Sequence, residues 1–208
     1  MEAAGGPGTK AVILEVARRR FAEQGFNGTS LNDIAADVGI RRQSLLYHYP
    51  SKEQLYGAVL TEELGAWQHL VDEAITGKVE GWDQVERVLR AAFRYFDEHP
   101  DLVRLIRREA LDGGPMLTAE VGRVLRPQFE RAVGFIEGEM AAGRLREYDA
   151  RQLILTGYGA VLSYLSDTLF IERLIDDDPV SPAALKERRE HVIDLLRNAL
   201  DPDAGGHD

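Results

Sequence analysis

The stretch from Thr29 to Leu55, TSLNDIAADVGIRRQSLLYHYPSKEQL, limits what this chain can be more than any other segment. Ser30 followed by Asp33 has the spacing of a helix N-cap, in which hydroxyl and carboxylate satisfy orphan donors of the first turn. Ile34, Ala35 and Val38 then supply one apolar face, and Gly39 supplies the backbone freedom that ends the helix. The next short element, from about Arg41 to Tyr49, carries little apolar surface, with Leu45 as its anchor. Arg41, Arg42, Gln43, Ser44, Tyr47 and His48 are all groups that hydrogen-bond to bases or phosphates. A globular core gains little from such a face, whereas the major groove of DNA can use all of it. The pattern predicts a helix-turn-helix.

The net charge of −10 at first argues against a nucleic-acid partner. Residues 1–55, however, hold seven Lys/Arg against six Asp/Glu, and the remaining 153 residues hold 18 against 29. The acidity belongs to the second part. An acidic body repels DNA everywhere except at a basic tip, which limits non-specific binding, although acidity also serves solubility alone. There is no cysteine, hence no disulfide framework, thiolate metal cage or thiol nucleophile. Met1 to Gly8 lacks the basic start and apolar run of a signal peptide. Thr156, Ser163, Ser166, Asp167 and Thr168 interrupt the most apolar segment, Leu153 to Ile171, which argues against a membrane span. A soluble, cytoplasmic protein is expected.

Along the chain, residues 1–8 read as a disordered tail and Lys10–Gln24 as a helix closed by Gly25. Residues 9–55 form the expected helix-turn-helix domain. Residues 56–208 are expected to form a second, helical domain. Ser51 with Gln54, and Asp149 with Gln152, have capping-box spacing, and Ser181-Pro182 reads as an N-cap followed by proline at the first helical position. Pro127 is expected to kink or restart a helix that runs up to Gly143. The segment from Asp149 to about Phe170 is apolar nearly all round, as in a helix covered by its own core and by a partner chain. With no competing strand pattern, the fold class is all-α, with about nine helices.

From Val12 to Val59 the chain resembles the DNA-binding domain of TetR-family transcriptional regulators. The residues that carry the likeness are Ala17, Phe21, Gly25-Phe26, Thr29-Ser30, Asp33-Ile34-Ala35, Gly39-Ile40, Leu45, Tyr47-His48-Tyr49, Ser51-Lys52-Glu53 and Leu55. The resemblance implies a homodimer built mainly from the last two helices, with one small-molecule pocket per subunit. Ligand binding in such proteins changes the separation of two DNA-reading heads. At one position the chain departs from the pattern. The family commonly has a tyrosine whose hydroxyl reaches a phosphate where this chain has Leu46, which leaves that contact absent or carried by Tyr47, His48 and Lys52.

The DNA-contacting residues expected are therefore Thr29, Ser30, Arg41, Arg42, Gln43, Ser44, Tyr47, His48 and Lys52. Arg42 can fork onto a guanine edge and Gln43 onto an adenine, with phosphate contacts as the alternative for the arginines. Lys52, at a helix N-terminus, suits a phosphate, and Tyr49 is expected in the core. Capping alone also explains Ser30. Candidates for an effector site are Trp67, Phe93, Phe96, Arg104, Phe129, Tyr158 and Tyr164, although plain core accounts for most of the aromatics. Arg104 and Arg108 share a helix face that suits an anionic ligand, although solvation explains it better. Gly157-x-Gly159, inside a helical stretch, reads as close helix packing rather than a dinucleotide loop. No paired acid and base, Gly-x-Ser-x-Gly or His-Glu-x-x-His occurs, so no enzyme, metal or cofactor is expected. The expected partners are double-stranded operator DNA, a small-molecule effector and a second copy of the chain, with no membrane. The expected role is a repressor released by ligand. An activator or ligand-independent regulator is the alternative, and an enzyme on this fold a more distant one.

Overall fold

The computed structural model describes residues 8–75, 79–113 and 122–205. The expected tail, apart from Gly8, lies outside the described residues. Among the described residues all regular structure is helical: α1 (Thr9–Gly28), α2 (Leu31–Val38), α3 (Arg42–His48), α4 (Lys52–Ala74), α5 (Gly81–Glu98), α6 (Pro100–Asp112), α7 (Gly122–Ala141), α8 (Ala150–Ser166), α9 (Thr168–Ile175) and α10 (Pro182–Leu200), followed by a short 3₁₀ turn at Pro202–Gly205. The chain forms two compact units, one within Met1–Ala66 and Asp101–Val124 and the other within Trp67–Pro100 and Leu125–Asp208. The first therefore takes more than the expected residues 9–55, because the start of α4 and most of α6 pack into it.

The expected caps are in place. Ser30 Oγ accepts from the Asp33 N–H at 3.2 Å and donates to Asp33 Oδ2 at 2.7 Å. Ser51 Oγ accepts from Gln54 N, Asp149 Oδ1 from the N–H groups of Arg151 and Gln152, and Ser181 Oγ from Ala184 N. Each satisfies N–H groups that have no partner inside the helix. Gly39 closes α2 in the left-handed region at φ 77°, with its N–H on Ala36 O and that of Ile40 on Ala35 O.

The first unit is built on Ile13, Ala17, Phe21, Ile34, Leu45, Leu55 and Tyr56, each at most 1% exposed, with Leu105 of α6 closing the same core. Phe21 and Phe26 both meet the Tyr56 ring edge-on, at 4.8 and 5.1 Å. Arg18 Nη1 donates to Glu63 at 2.9 Å, and the Tyr56 hydroxyl donates to Glu109, whereas Arg18 Nε and the Tyr49 hydroxyl are buried without a hydrogen-bond partner among the described residues.

Gly25, at φ 73° and ψ 173°, breaks α1 and leaves carbonyls without the usual N–H partners. Side chains from three later segments take them. Thr29 Oγ1 donates to Gly25 O at 2.8 Å and approaches Arg20 O at 3.1 Å. Arg108 of α6 gives Nε to Ala22 O at 3.0 Å and Nη2 to Glu23 O at 2.9 Å. The Lys52 ammonium reaches Phe26 O at 2.7 Å and Thr29 O at 3.0 Å. Cations at a helix C-terminus also complement its dipole.

In the second unit, Glu139 of α7 holds the start of α5. Its Oε2 accepts from Gly81 N at 2.6 Å, while the carboxylate takes both Nε and Nη2 of Arg144 at 2.7 Å. The Arg144 guanidinium, assisted by the Gly81 N–H, keeps this carboxyl below its ordinary range. Arg90 of α5 forks onto Glu190 of α10, with both bonds at 2.9 Å.

Three expectations are corrected. α7 continues through Pro127 without restarting. The apolar segment after Asp149 is two helices, α8 and α9, bent by 81° at Asp167, so the described residues form ten helices where about nine were expected. Ser166 Oγ turns back to Ser163 O and to Asp167 Oδ1, local bonds that compete with helix continuation. Within this chain α8 does not pack closely at its glycines either, since a Cβ at Gly157 or Gly159 would meet nothing within 4 Å. Among the described residues no single helix is long and apolar enough to cross a membrane, although the bent α8–α9 pair passes by length and composition.

Candidate DNA-binding surface

α3 is seven residues long and is held by one fully buried side chain, Leu45. Arg41 precedes it with extended backbone, and its carbonyl accepts from the N–H groups of Ser44 and Leu45. Arg41, Arg42, Gln43, Ser44 and Tyr47 are all exposed, Tyr47 at 86%. Among the described residues, the side chains of Arg41, Arg42, Gln43 and Ser44 make no hydrogen bond or ion pair. Two guanidiniums, an amide and a hydroxyl thus stand unpartnered along the start of one short helix that follows a tight turn.

The neighbouring basic residues are engaged differently. Arg20 forks onto Asp37 at 2.7 and 2.8 Å, with Arg19 3.8 Å from the same carboxylate. The Arg20 hydrogen bonds hold the Asp37 carboxyl below its ordinary range. Arg18 belongs to Glu63. The Arg18-Arg19-Arg20 run is therefore part of the scaffold's ion pairing, and among the described residues of the first unit the arginines without a partner are Arg41 and Arg42. Lys10 adds to them from the start of α1, with its ammonium 5.8 Å from the Tyr49 ring centre.

The other expected contact residues divide. Ser30 is exposed and caps α2, and half-buried His48 meets the Tyr47 ring edge-on at 5.4 Å. Thr29 is 2% exposed, with its hydroxyl committed to α1 carbonyls. Lys52 is half-buried, and its ammonium holds two carbonyls and lies 4.3 Å from the Phe26 ring centre. Tyr49 is core, at 5% exposed, and Leu46 is half-buried. Sequence reasoning missed Lys10, which stands outside the turn-and-helix pattern.

The expected effector residues do not converge on one site. Arg104 belongs to the first unit, exposed and 3.5 Å from Asp101. Trp67 and Phe96 do meet, at 4.9 Å, in a cluster with Tyr95, and His99 stacks on Tyr95 at 4.2 Å. Phe129 lies under Arg151, and Tyr158 is 44% exposed. Tyr164 donates to Pro179 O at 2.9 Å beneath Arg188. Phe93 alone lines the cleft of about 230 Å³ between α5, α8 and α10, beside Arg90, Arg94, Asp97 and Arg189. Those four charged residues had escaped notice; Arg90, Phe93, Arg94 and Asp97 recur at helical spacing, the one feature that could have flagged them. No group of three or more His, Asp or Glu among the described residues is placed to hold a metal ion.

A buried anchor, a glycine turn and a short helix of unpartnered donors define a helix-turn-helix DNA-binding protein. Residues 13–59 match the family of bacterial regulatory proteins called the tetR family, and residues 82–196 match the tetracyclin repressor-like C-terminal domain. The chain is 30% identical over 155 residues to the HTH-type transcriptional regulator RutR of Escherichia coli (strain K12), covering 74% of this chain and 73% of RutR. It is 32% identical over 113 residues to the HTH-type transcriptional repressor SCO4008 of Streptomyces coelicolor, 54% of each chain. The fold is similar to that of the ketosteroid transcriptional regulator KstR2 of Mycobacterium tuberculosis, with a TM-score of 0.76 over 97% of this chain and 99% of that one at 18% identity. The chain belongs to the TetR family of transcriptional regulators.

Proposed function

We propose that this regulator is a repressor that acts as a homodimer on an inverted-repeat operator and is released by a small molecule held in the second unit. The observation that carries the reading is the row of unpartnered donors Arg41, Arg42, Gln43 and Ser44. Arg42 and Gln43 are the base readers, and Arg41, Ser30, Tyr47, His48 and Lys10 contact the backbone. The name of SCO4008, a repressor, supports the sign of the regulation. For the dimer, the support is apolar surface that this chain leaves uncovered: Leu155 and Tyr158 on α8, Leu169, Phe170 and Leu174 on α9, and Leu195 on α10, all between 44% and 79% exposed. A second copy laid on α8 and α10 covers such surface. A ligand releases the operator only by binding the DNA-incompetent state more tightly. Cytoplasmic location follows from this role, and no catalysis is part of it.

A gel shift with the DNA upstream of its own coding sequence tests the reading. Retardation by the intact chain, lost when Ser181 to Leu200 is deleted, is expected. A deleted protein that remains a dimer and binds as well would overturn the placement of the dimer contact.

A further inference from the structure

Arg90, Phe93, Arg94 and Asp97 stand at i, i+3, i+4 and i+7 on α5 and so share one face. Leu165 at the end of α8 and Leu185 and Arg189 of α10 close over that face and leave the cleft of about 230 Å³. Its floor is apolar: Phe93 is 5% exposed, and Leu165 and Leu185 are half-buried. Its rim carries three guanidiniums and one carboxylate.

The arginines are not equivalent. Arg90 is taken up by Glu190 and by Glu86, the latter at 2.8 Å. Arg189 gives only Nε, to Glu190 at 3.1 Å, and no other hydrogen bond among the described residues. Arg94 makes neither a hydrogen bond nor an ion pair among them. Asp97 takes no hydrogen bond from either arginine. Burial pushes its carboxyl above the ordinary range and Glu98 adds to this, while Arg189 pulls the other way from a distance. An ion-pair network built only for stability would close Arg94 or Arg189 onto Asp97. Here the guanidinium donors are left spare above an apolar floor.

Planar guanidinium forks match the oxygens of carboxylates and phosphates. The cleft is smaller than the roughly 300–1,000 Å³ of sites for drug-sized ligands, which fits an acid with a short hydrocarbon part. We propose that this cleft binds a small organic acid, with its oxyanion on Arg94 and Arg189 and its hydrocarbon on Phe93, Leu165 and Leu185, and that this acid is the effector. The second half of the proposal rests on the ligand-released regulator described above.

The test uses the intact protein without DNA, titrated in a calorimeter with short straight-chain carboxylates, the matching alkyl phosphates and the matching alcohols. Acids should bind in the millimolar range or tighter and alcohols should not. The carboxylate and phosphate arms identify which oxyanion the site prefers. Arg94→Ala should weaken acid binding about tenfold, the loss of one charge-assisted contact. Asp97→Asn should tighten it, because a like charge is removed. A purely structural role for this face does not move the two variants in opposite directions. No acid binding, equal binding of acids and alcohols, or an Arg94→Ala protein that binds like wild type overturns the cleft assignment. An acid that binds but leaves the operator complex intact overturns the effector role alone. A chain that retards no DNA defeats the regulator reading and leaves the calorimetry standing.

Discussion

The ammonium of Lys52 lies 2.7 Å from the carbonyl oxygen of Phe26 and 4.3 Å from the centre of the same residue's ring. One cation thereby fastens the start of α4 to the frayed end of α1. A lysine expected at a phosphate instead has its donors directed into the protein. Lys52→Met should lower the stability of the first unit by about 1–2 kcal/mol, combining a charge-assisted hydrogen bond with a cation–π contact. The slope of log DNA affinity against log salt should stay unchanged, since each lost phosphate contact lowers it by about 0.9. Urea denaturation and binding across a salt series check both. A reduced slope at unaltered stability would return Lys52 to the DNA.

Arg42 has no partner among the described residues, so its removal should not disturb folding. Arg42→Ala should cost roughly 1–3 kcal/mol at the operator and relax the preference at one base position per half-site. Equal losses on operator and random DNA would place the guanidinium on a phosphate.

Leu46 is half-buried beside the fully buried anchor Leu45. Leu46→Tyr should present a hydroxyl to the DNA backbone and add about 0.5–1.5 kcal/mol of binding. A neutral donor releases no counterion, so the salt slope should hold, and operator and random DNA should gain alike. A lower melting temperature without tighter binding would show that the position serves the core.

The Glu190 carboxyl is held down to about 2 from its ordinary 4.5, first by its hydrogen bonds to Arg90 and then by Arg189. A depressed carboxylate adds stability that is complete above the unfolded value. That stability is lost as pH falls from about 4.5 toward about 2. Between those limits the wild-type protein should lose more of its urea midpoint than Glu190→Gln. Parallel curves for the two proteins would refute the linkage.

Features whose partners sit within a few residues could be read in the sequence. Ser30, Ser51, Asp149 and Ser181 cap where expected, because an N-cap bond closes over three residues. The donor row of α3 was also legible, since a face without apolar residues has no use in a core. Long-range pairing was not. Arg18 finds Glu63 across 45 positions and Lys52 finds Phe26 across 26, so the basic run looked freer than it is and Lys52 looked available. Apolar periodicity carries no record of a bend, which hid the break at Asp167. The cleft is assembled from α5, α8 and α10, and only one of its residues, Phe93, drew notice as an aromatic.

Arg108 and Leu105 have a consequence for anyone who treats the reading head as an exchangeable cassette. A segment cut at residue 66 loses the guanidinium that holds the carbonyls of Ala22 and Glu23 from 86 and 85 positions downstream, and with it the leucine that closes the core. Replacing α3 alone avoids this loss, since its one buried side chain is Leu45. A graft of the whole head succeeds only if α6 travels with it.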